Sequence, residues 1–347
     1  MKAIDLFAGP GGLSHGFRKA KIDVVLAIDY DEEACKTHRE NAPETEVLQK
    51  DLAESEPNEV IKESKIDKED IDLVIGGPPC RGFSIAGDRE ENDERNSLVD
   101  VYLDWVEAIE PKAFLMENVP GIVNMYKGKF KQHIEDRVEK LGYNLNWQIV
   151  NAAEFGVPQG RERAIFVGMK KGSFNFPEST HQIGEQKSLK FQDLDDAKTV
   201  GDAILDLPNL EAGEKSEIPN HNARNHGDKQ VEKMSYIDPG ENWQELPEEY
   251  KPSGSYPSHA FHRLDPKKPS RVLPANASST SILHPEDDRQ ITVREFARIQ
   301  SFPDNYIFKG TIAGKYRQVG DAVPVKLAEK LGESLQSQLR NQENNKS

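Results

Sequence analysis

The sequence predicts an α/β fold in which a doubly wound, mostly parallel sheet is followed by a second, smaller domain of irregular structure. Over the first 170 residues, short apolar runs alternate with segments of helical periodicity, which is the pattern of parallel strands joined by crossover helices. From about residue 180 this alternation stops, and polar sequence punctuated by Gly and Pro follows.

Four apolar runs are predicted to be buried strands, and each leads into a residue with distinctive chemistry. Ligands of such sheets bind at the carboxyl ends of the strands, so the residues that follow the runs are candidates for a site. The runs are KAIDLFAG (2–9), DVVLAIDYD (23–31), IDLVIGG (71–77) and KAFLMENV (112–119).

Helical periodicity predicts a helix in SLVDVYLDWVEAIEP that ends before Pro111, and another in GKFKQHIEDRVEKLGY that ends at Gly142. The same pattern returns in TVREFARIQSFP and in VPVKLAEKLGESLQSQL. The final residues, RNQENNKS, are predicted to be disordered.

The chain of 347 residues carries a net charge of −15, which by itself argues against a nucleic-acid partner. The charge is uneven, however. Residues 40–72 contain twelve acidic residues and four lysines, whereas residues 263–298 contain seven basic and five acidic residues, and KGKFK is also basic. A polyanion could therefore bind one face. No apolar run approaches the ~20 residues of a membrane span and no signal pattern is found, so a cytoplasmic protein is expected.

The glycines of DLFAGPGGLSHGF lie between a predicted strand and a predicted helix, where backbone can approach a ligand closely. Counted from Gly9, the sixth position of a dinucleotide-binding fingerprint is Ser14, so that fingerprint is not present. Asp29 lies 20 residues further on, where a carboxylate can bind ribose hydroxyls. A nucleoside-bearing cofactor is indicated; the alternative is a glycine turn that serves packing only.

Cys80 and Cys35 are the only two cysteines of the chain. Cys35 lies in a predicted helix and fits an inert core residue. Cys80 follows a strand, in the proline-stiffened turn IGGPPCRGFS, and is a candidate nucleophile. A zinc deaminase needs a second cysteine three residues after the first, and that position is Phe83, which excludes this class.

Glu117, in MENVPG, ends the strand next along the chain and is a candidate acid or hydrogen-bond partner, although a solvated strand end is the simpler alternative. Arg161 and Arg163, in VPQGRERAIFVG, are expected to project from the beginning of a strand on the same side. The alternative for this pair is a solvated surface charge.

Taken together and in this order, the motifs resemble those of the DNA (cytosine-5) methyltransferases over nearly the whole length. DLFAGPGGLSHGF resembles the cofactor loop of that family, GGPPCRGFS the nucleophile motif, MENVPGI the glutamate motif and FGVPQGRERAIFVG the paired-arginine motif. Further matches are AIDYDEEACKTHREN, KDLAE, HPEDDRQITVREFARIQSFPD and RQVGDAVPVKLAEKLG. The stretch 180–260 matches poorly, and there the family carries its variable target-recognition region.

The resemblance implies an S-adenosylmethionine-dependent methyltransferase fold, with the helix of VPVKLAEKLG packed onto the first domain. It implies that S-adenosylmethionine is the cofactor and that the cytosine is flipped out of the duplex and attacked by Cys80. The catalytic residues it implies are Cys80, Glu117, Arg161 and Arg163. The cofactor-binding residues are Phe7, Ala8, Gly9, Gly11, Gly12, Asp29, Tyr30, Asp51, Leu52, Pro78, Asp321 and Ala322, and the DNA-binding residues are Arg81, Ser84, Arg89 and Arg95.

Three features depart from the family pattern. Arg81 stands where glutamine is usual, and a positive charge there could lower the pKa of Cys80 or contact a phosphate. Asp321 stands where asparagine is usual, and it is expected to act as a favourable cap of the following helix. The segment AGDREENDERN (86–96), a mobile loop in the family, is strongly acidic here.

The predicted domains are 1–178 with 315–340 for catalysis and cofactor binding, 179–314 for target recognition, and 341–347 as a disordered tail. The predicted partners are double-stranded DNA and a cognate restriction endonuclease, and a monomer without membrane contact is expected. Two alternatives stay open: the same chemistry on transfer RNA, and a catalytically silent relative that binds DNA. A nicotinamide-dependent oxidoreductase is disfavoured by Ser14.

Overall fold

The protein is described here by a computed structural model that covers residues 1–64, 66–79, 98–183, 194–252, 260–277 and 282–344. The chain forms two compact units. Unit 1 comprises Met1–Asn151, Glu162–Glu178 and Val325–Ser347, and unit 2 comprises Ala152–Arg161 and Ser179–Pro324. The assignment of the predicted ranges to catalysis and target recognition stays a prediction.

Unit 1 is built on a seven-stranded sheet with the order β3-β2-β1-β4-β5-β7-β6. The first five strands in this order run parallel to one another, and β7 runs antiparallel to both β5 and β6. The mostly parallel α/β sheet is therefore confirmed. The strands are Lys2–Leu6 (β1), Asp23–Asp29 (β2), Glu46–Gln49 (β3), Leu73–Gly76 (β4), Ala113–Asn118 (β5), Asn144–Asn151 (β6) and Glu162–Met169 (β7).

The four predicted apolar strands are the buried centre of this sheet, whereas the two edge strands, β3 and β6, have no comparable apolar signature. β3 is only four residues long, and most of β6 is half-buried or exposed. An edge strand covered on one face needs few apolar residues, so its sequence is weakly patterned.

Helices cover both faces of the sheet. One face packs against α3, α4 and α5 through a continuous apolar core that includes Leu26, Ile28, Trp105 and Phe114. On the other face Ala27, from the same strand as Leu26 and Ile28, packs with Cys35 and Val47. The helices of unit 1 are Gly12–Lys19 (α1), Glu32–Asn41 (α2), Pro57–Glu63 (α3), Leu98–Ile109 (α4) and Lys129–Lys140 (α5), with 3₁₀ turns at Leu52–Glu54, Lys68–Asp70 and Pro120–Gly128.

A long C-terminal helix completes unit 1 by packing against α1, as the resemblance implied. This helix, Val325–Asn344, is named α10, because the helices α6 to α9 of unit 2 come before it in the chain. The two helices approach so closely that a Cβ on Gly16 would lie 2.4 Å from the Cβ of Ala328. The predicted disorder of residues 341–344 is wrong, because the helix continues to Asn344, with Leu339 buried and the amide of Gln342 donating to the carbonyl oxygen of Lys171.

Unit 2 has short elements separated by irregular backbone. Among its described residues, strands of two residues each form two parallel pairs, β8 with β9 and β10 with β11. The predicted helix in TVREFARIQSFP is present as α8. The elements are His181–Gln182 (β8), Asp195–Asp196 (β9), His262–Arg263 (β10), Ile282–Leu283 (β11), Val200–Ile204 (α6), Asp228–Ser235 (α7), Val293–Ile299 (α8) and Ile312–Asp321 (α9), with 3₁₀ turns at Ala152–Phe155, Trp243–Glu245 and Glu248–Tyr250.

Buried charged side chains hold the irregular backbone of unit 2. Arg263 is 4% exposed and donates to the carbonyl oxygens of Ile237, His284, Asp287 and Met234 and to the carboxylate of Asp288. All five N–H groups of its guanidinium are thereby used. This one side chain therefore donates to backbone carbonyl oxygens of two irregular stretches, around residues 234–237 and 284–287, and links them.

A second buried ion pair of unit 2 stabilises the start of α8. Arg289 donates to both carboxylate oxygens of Glu295, at 2.9 and 2.7 Å. Glu295 also accepts from the backbone N–H of Thr292, whose hydroxyl accepts from the N–H of Glu295, which is a reciprocal capping box. Within the described ranges, no helix has the length and apolar character needed to cross a membrane.

Candidate active site

The glycine-rich turn after β1 is fastened to the end of β2. The N–H of Ala8 donates to the carbonyl oxygen of Ile28, and the N–H of Gly9 donates to the carboxylate of Asp29 at 2.8 Å. Phe7 and Gly9 both have positive φ, 55° and 54°, a conformation that is rare for a residue such as Phe. The turn is therefore held in a conformation that the chain would not adopt freely.

Asp29 is the last residue of β2, and Tyr30 follows it beside this turn. Asp29 is 8% exposed and accepts from the N–H of Asp31 at 2.8 Å, and burial raises the pKa of its carboxyl group. The ring of Tyr30 is 65% exposed, and a Cβ on Gly9 would meet nothing within 4 Å. An open turn, a carboxylate and an accessible aromatic ring fit the nucleoside part of a cofactor.

Asp51 and Leu52 follow the carboxyl end of β3. Asp51 is exposed and caps a 3₁₀ turn by accepting from the N–H of Ala53 at 2.9 Å, while Leu52 is buried. Gly11 is the residue before α1, with φ 94°, and Gly12 begins that helix. The ten predicted cofactor-binding residues of unit 1 thus lie at the carboxyl ends of β1, β2, β3 and β4, including Pro78 after β4.

Ser14, which breaks the dinucleotide fingerprint, has a structural role beneath the turn. Its hydroxyl donates to the carboxylate of Asp5 at 2.5 Å, and both side chains are fully buried. Burial raises the pKa of Asp5 to about 7, although the Ser14 hydrogen bond lowers it. The other carboxylate oxygen of Asp5 has no partner among the described residues.

Glu117 and Arg163 form a salt bridge at the same edge of the sheet, with 2.6 Å between Nε of Arg163 and Oε1 of Glu117. Their side chains are only 12% and 11% exposed. Because β7 runs antiparallel to β5, the beginning of β7 lies beside the carboxyl end of β5. This reversal brings together a glutamate and an arginine that are 46 residues apart in the sequence.

Asn118 is a site residue to which the sequence analysis gave no role. It is 3% exposed, and its Nδ2 donates to the carbonyl oxygen of Pro78 at 2.9 Å, while its Oδ1 accepts from the N–H of Val119. The bond joins the glutamate strand to the turn two residues before Cys80. A Cβ on Gly77 would lie 3.1 Å from Oε2 of Glu117, so the absence of a side chain there leaves room for the glutamate.

The remaining predicted site residues of the described chain belong to unit 2. Arg161 is 2% exposed, and its backbone N–H donates to the carbonyl oxygen of Gln159. Asp321 is exposed and Ala322 is buried. The predicted cap at Asp321 is wrong, because Asp321 is the last residue of α9 and the next helix begins only at Val325. A carboxylate at a helix C-terminus opposes the helix dipole.

Several predicted residues lie outside the described part of the chain: Cys80, Arg81, Ser84, Arg89 and Arg95, with the acidic segment 86–96. Their roles stay predictions. Cys35 is described and is fully buried, with its thiol 3.4 Å from the carbonyl oxygen of Asp29, and burial raises its pKa to about 12. A thiol with this pKa is no nucleophile at neutral pH, which agrees with its interpretation as a core residue.

Comparison with known proteins decides between the classes that this geometry allows. The family of C-5 cytosine-specific DNA methylases matches residues 1–337. The chain belongs to this family. It is 38% identical over 337 residues to the type II methyltransferase M1.HphI of Haemophilus parahaemolyticus. The matched residues cover 96% of the chain and 86% of that relative.

Two further relatives agree. The type II methyltransferase M.DdeI of Desulfomicrobium norvegicum is 36% identical over 383 residues, covering 96% of the chain and 88% of that protein. A crystal structure described as a DNA modification methyltransferase encoded within an E. coli prophage has a TM-score of 0.77 and 27% identity, covering 98% of this chain and 99% of that one. The predicted fold and the predicted enzyme class, a DNA cytosine-5 methyltransferase, are confirmed.

Proposed function

We propose that this enzyme transfers the methyl group of S-adenosylmethionine to carbon 5 of a flipped cytosine in a specific site of double-stranded DNA. The observation that carries the residue assignment is the Glu117–Arg163 pair, next to which Asn118 bonds to Pro78 in the turn that leads to Cys80. These groups lie at the edge of the sheet where the cofactor turn also lies. The roles assigned below to individual residues are part of this proposal.

The cofactor would be held by the residues at the ends of β1 to β4. Asp29 would bind the ribose hydroxyls, Asp51 the adenine amino group, and Phe7 and Tyr30 the faces of the adenine ring. When bound, S-adenosylmethionine supplies an electrophilic methyl group on a sulfonium centre, so the protein needs to provide position and charge only. Asp321 and Ala322 are included in the proposed set on the resemblance alone.

Cys80 would make carbon 5 nucleophilic. Its thiolate adds to carbon 6 of the cytosine, which forms a C6–S bond and moves electron density onto carbon 5. After carbon 5 has gained the methyl group, a base removes the proton from carbon 5, the C6–S bond breaks and the thiolate leaves. A nucleophile with this task needs a fixed direction, and the bond from Asn118 to the carbonyl oxygen of Pro78 fixes the backbone two residues before it.

Glu117 would hold the cytosine edge that carries N3 and the amino group, and it would supply the proton to N3 that favours attack at carbon 6. Arg163 orients this carboxylate through its Nε and donates to the carbonyl oxygen of Glu162 through Nη1. Its Nη2 has no hydrogen-bond partner within the described ranges, and we assign it to the base. Arg161 would help to orient the site.

The type II relatives support a place in a restriction-modification system, in which a cognate restriction endonuclease cuts the unmethylated site. The proposal includes that partner, a monomeric enzyme and a cytoplasmic location. Arg81, Ser84, Arg89 and Arg95 would contact DNA. The recognised sequence is not part of the proposal, since base contacts of irregular target readers follow from geometry and not from a transferable code.

The test uses purified protein with S-adenosylmethionine labelled in the methyl group, offered with DNA and, separately, with transfer RNA. Label is expected in DNA and is lost in Cys80→Ala. Label in RNA but not in DNA, or label that persists in Cys80→Ala, would refute the proposal, and no label in either would favour a silent DNA-binding relative.

Glu117→Gln keeps the size of the side chain but removes the acid, and the methylation rate at saturating DNA is expected to fall by roughly 10²–10⁴-fold. Glu110→Gln, at an exposed side chain in the same unit, is the matched control and should leave the rate unchanged. Equal rates for Glu117→Gln and wild type would exclude Glu117 from proton transfer.

A further inference from the structure

A stretch without acidic residues follows Glu117 directly. From Asn118 to Ile134 there is no Asp or Glu, although the whole chain contains 60 acidic and 45 basic residues. The stretch carries three lysines, Lys127, Lys129 and Lys131. We call residues 118–134 the basic segment. It begins at the strand end that carries the salt bridge of the site, and its 3₁₀ turn Pro120–Gly128 contacts β7, the strand that carries Arg163.

The middle of the basic segment forms a left-handed turn. Tyr126 has φ 50° and ψ 41°, Lys127 has φ 59° and ψ 36°, and Gly128 has φ 85°. Two successive residues with a Cβ in this conformation are uncommon, and such strain concentrates where a side chain must be displayed in a fixed direction. Ile122 and Val123 before the turn, and Phe130 and Ile134 after it, are buried. The turn is therefore anchored on both sides and projects outward.

The three lysines are not equivalent. Lys131 has intramolecular partners, since its ammonium group lies 5.0 Å from the ring centre of Trp147 and 3.4 Å from the carboxylate of Glu135. Lys127 and Lys129 are exposed, and they have no ion pair within the part of the chain that the structure describes. In a protein with a net charge of −15, two such exposed ammonium groups are suited to an anionic ligand.

We propose that Lys127 and Lys129, displayed by this left-handed turn, bind backbone phosphates of the DNA next to the flipped cytosine. The inference rests on the proposed function, because it places the target base at Glu117. A flipped nucleotide stays attached to phosphates on both sides, so phosphate-binding groups are needed close to the residues that hold the base. Such contacts set the register of the protein on the duplex and carry no sequence information.

The experiment measures DNA affinity at several salt concentrations for wild type, Lys127→Gln, Lys129→Gln and the double variant. Each lost phosphate contact is expected to reduce the slope of log K against log salt by about 1 in magnitude, and the double variant by about 2. Lys131→Gln is the matched control and keeps the wild-type slope. A double variant with the wild-type slope would overturn the inference.

A second variant separates binding from folding. Lys127→Gly removes the charge but places at this position the residue that tolerates a positive φ best. Its thermal midpoint is expected to rise while its salt slope falls, and a lower midpoint with an unchanged slope would show that Lys127 serves the fold instead. Methyl transfer by the wild type is measured in parallel. If transfer is absent, the proposed function fails; if transfer occurs and the slopes are equal, only this inference fails.

Discussion

The interiors of the two units differ in the kinds of side chain that stabilise them. In unit 1, apolar side chains of the strands and of α3, α4 and α5 form one continuous core, and the carboxyl group of Asp5 is buried against Ser14 of α1. In unit 2, buried apolar side chains such as Phe296 and Phe302 are accompanied by buried arginines such as Arg263, whose guanidinium group donates to backbone carbonyl oxygens. Apolar burial is non-directional, whereas a buried arginine stabilises only one arrangement of acceptors. Unit 2 therefore depends on the directional hydrogen bonds of buried arginines in addition to apolar burial.

Arg263→Met is the strongest test of this difference. It keeps much of the volume of the side chain but removes one donor from each of four backbone carbonyl oxygens, of which those of Met234 and Asp287 keep a backbone N–H donor, and we expect it to destabilise unit 2 by about 3–5 kcal/mol. Hydrogen exchange should show loss of protection around residues 234–241 and 282–289, with the strands of unit 1 unchanged.

Arg271→Met, at an exposed arginine of the same unit, is the control and should leave exchange unaltered. If Arg263→Met and Arg271→Met behave alike, the buried guanidinium does not hold the backbone of unit 2.

Asp5→Asn tests a fully buried carboxyl group of unit 1. Burial raises the pKa of Asp5 to about 7 in the fold, above its ordinary value of 3.8, so its contribution is fully present below about pH 4 and is lost as the pH rises through 7. The asparagine variant has no such loss. Its free energy of unfolding relative to wild type should therefore rise by up to about 4 kcal/mol between pH 4 and pH 8.

Chemical denaturation of wild type and Asp5→Asn at several pH values measures this difference. The two profiles cross or converge if the prediction is right, and they run parallel from pH 4 to pH 8 if Asp5 does not titrate in the fold.

Gly16→Ala tests the close packing of α1 against α10. A Cβ on Gly16 would also lie 2.6 Å from the carbonyl oxygen of Val325, so the helices must separate, at a cost of about 1–3 kcal/mol. Gly227→Ala is the control, since a Cβ there would meet nothing within 4 Å. Thermal unfolding should show a lower midpoint for the first variant only, and equal midpoints would contradict the packing.

Thr199→Ala is expected to have the smallest effect, about 1 kcal/mol, through loss of the capping box at α6. Thr292→Ala removes the corresponding box at α8, where the threonine hydroxyl also lies 3.0 Å from Nδ1 of the buried His221. Denaturant titration should therefore show a larger loss for Thr292→Ala, and the reverse order would mean that burial adds nothing to the cap.

The same difference explains what could be predicted from the sequence. The central strands of unit 1 and helices α4 and α5 follow from apolar periodicity, and Asp29 and Glu117 follow from their position at strand ends. Asn118 gave no signal, because its importance lies in a bond to Pro78, 40 residues away in the chain. Arg263 has an ordinary sequence context, and its acceptors come from two distant segments. Local pattern predicts elements, but it does not predict which distant carbonyl a polar side chain will meet.

The packing of α10 against α1 has a consequence for synthesis of the protein on the ribosome. The helix that covers α1 begins at Val325, more than 300 residues after α1 ends at Lys19. The segment that forms unit 2 is translated between them. The α1 face of unit 1 therefore stays uncovered until α10 has emerged from the ribosome.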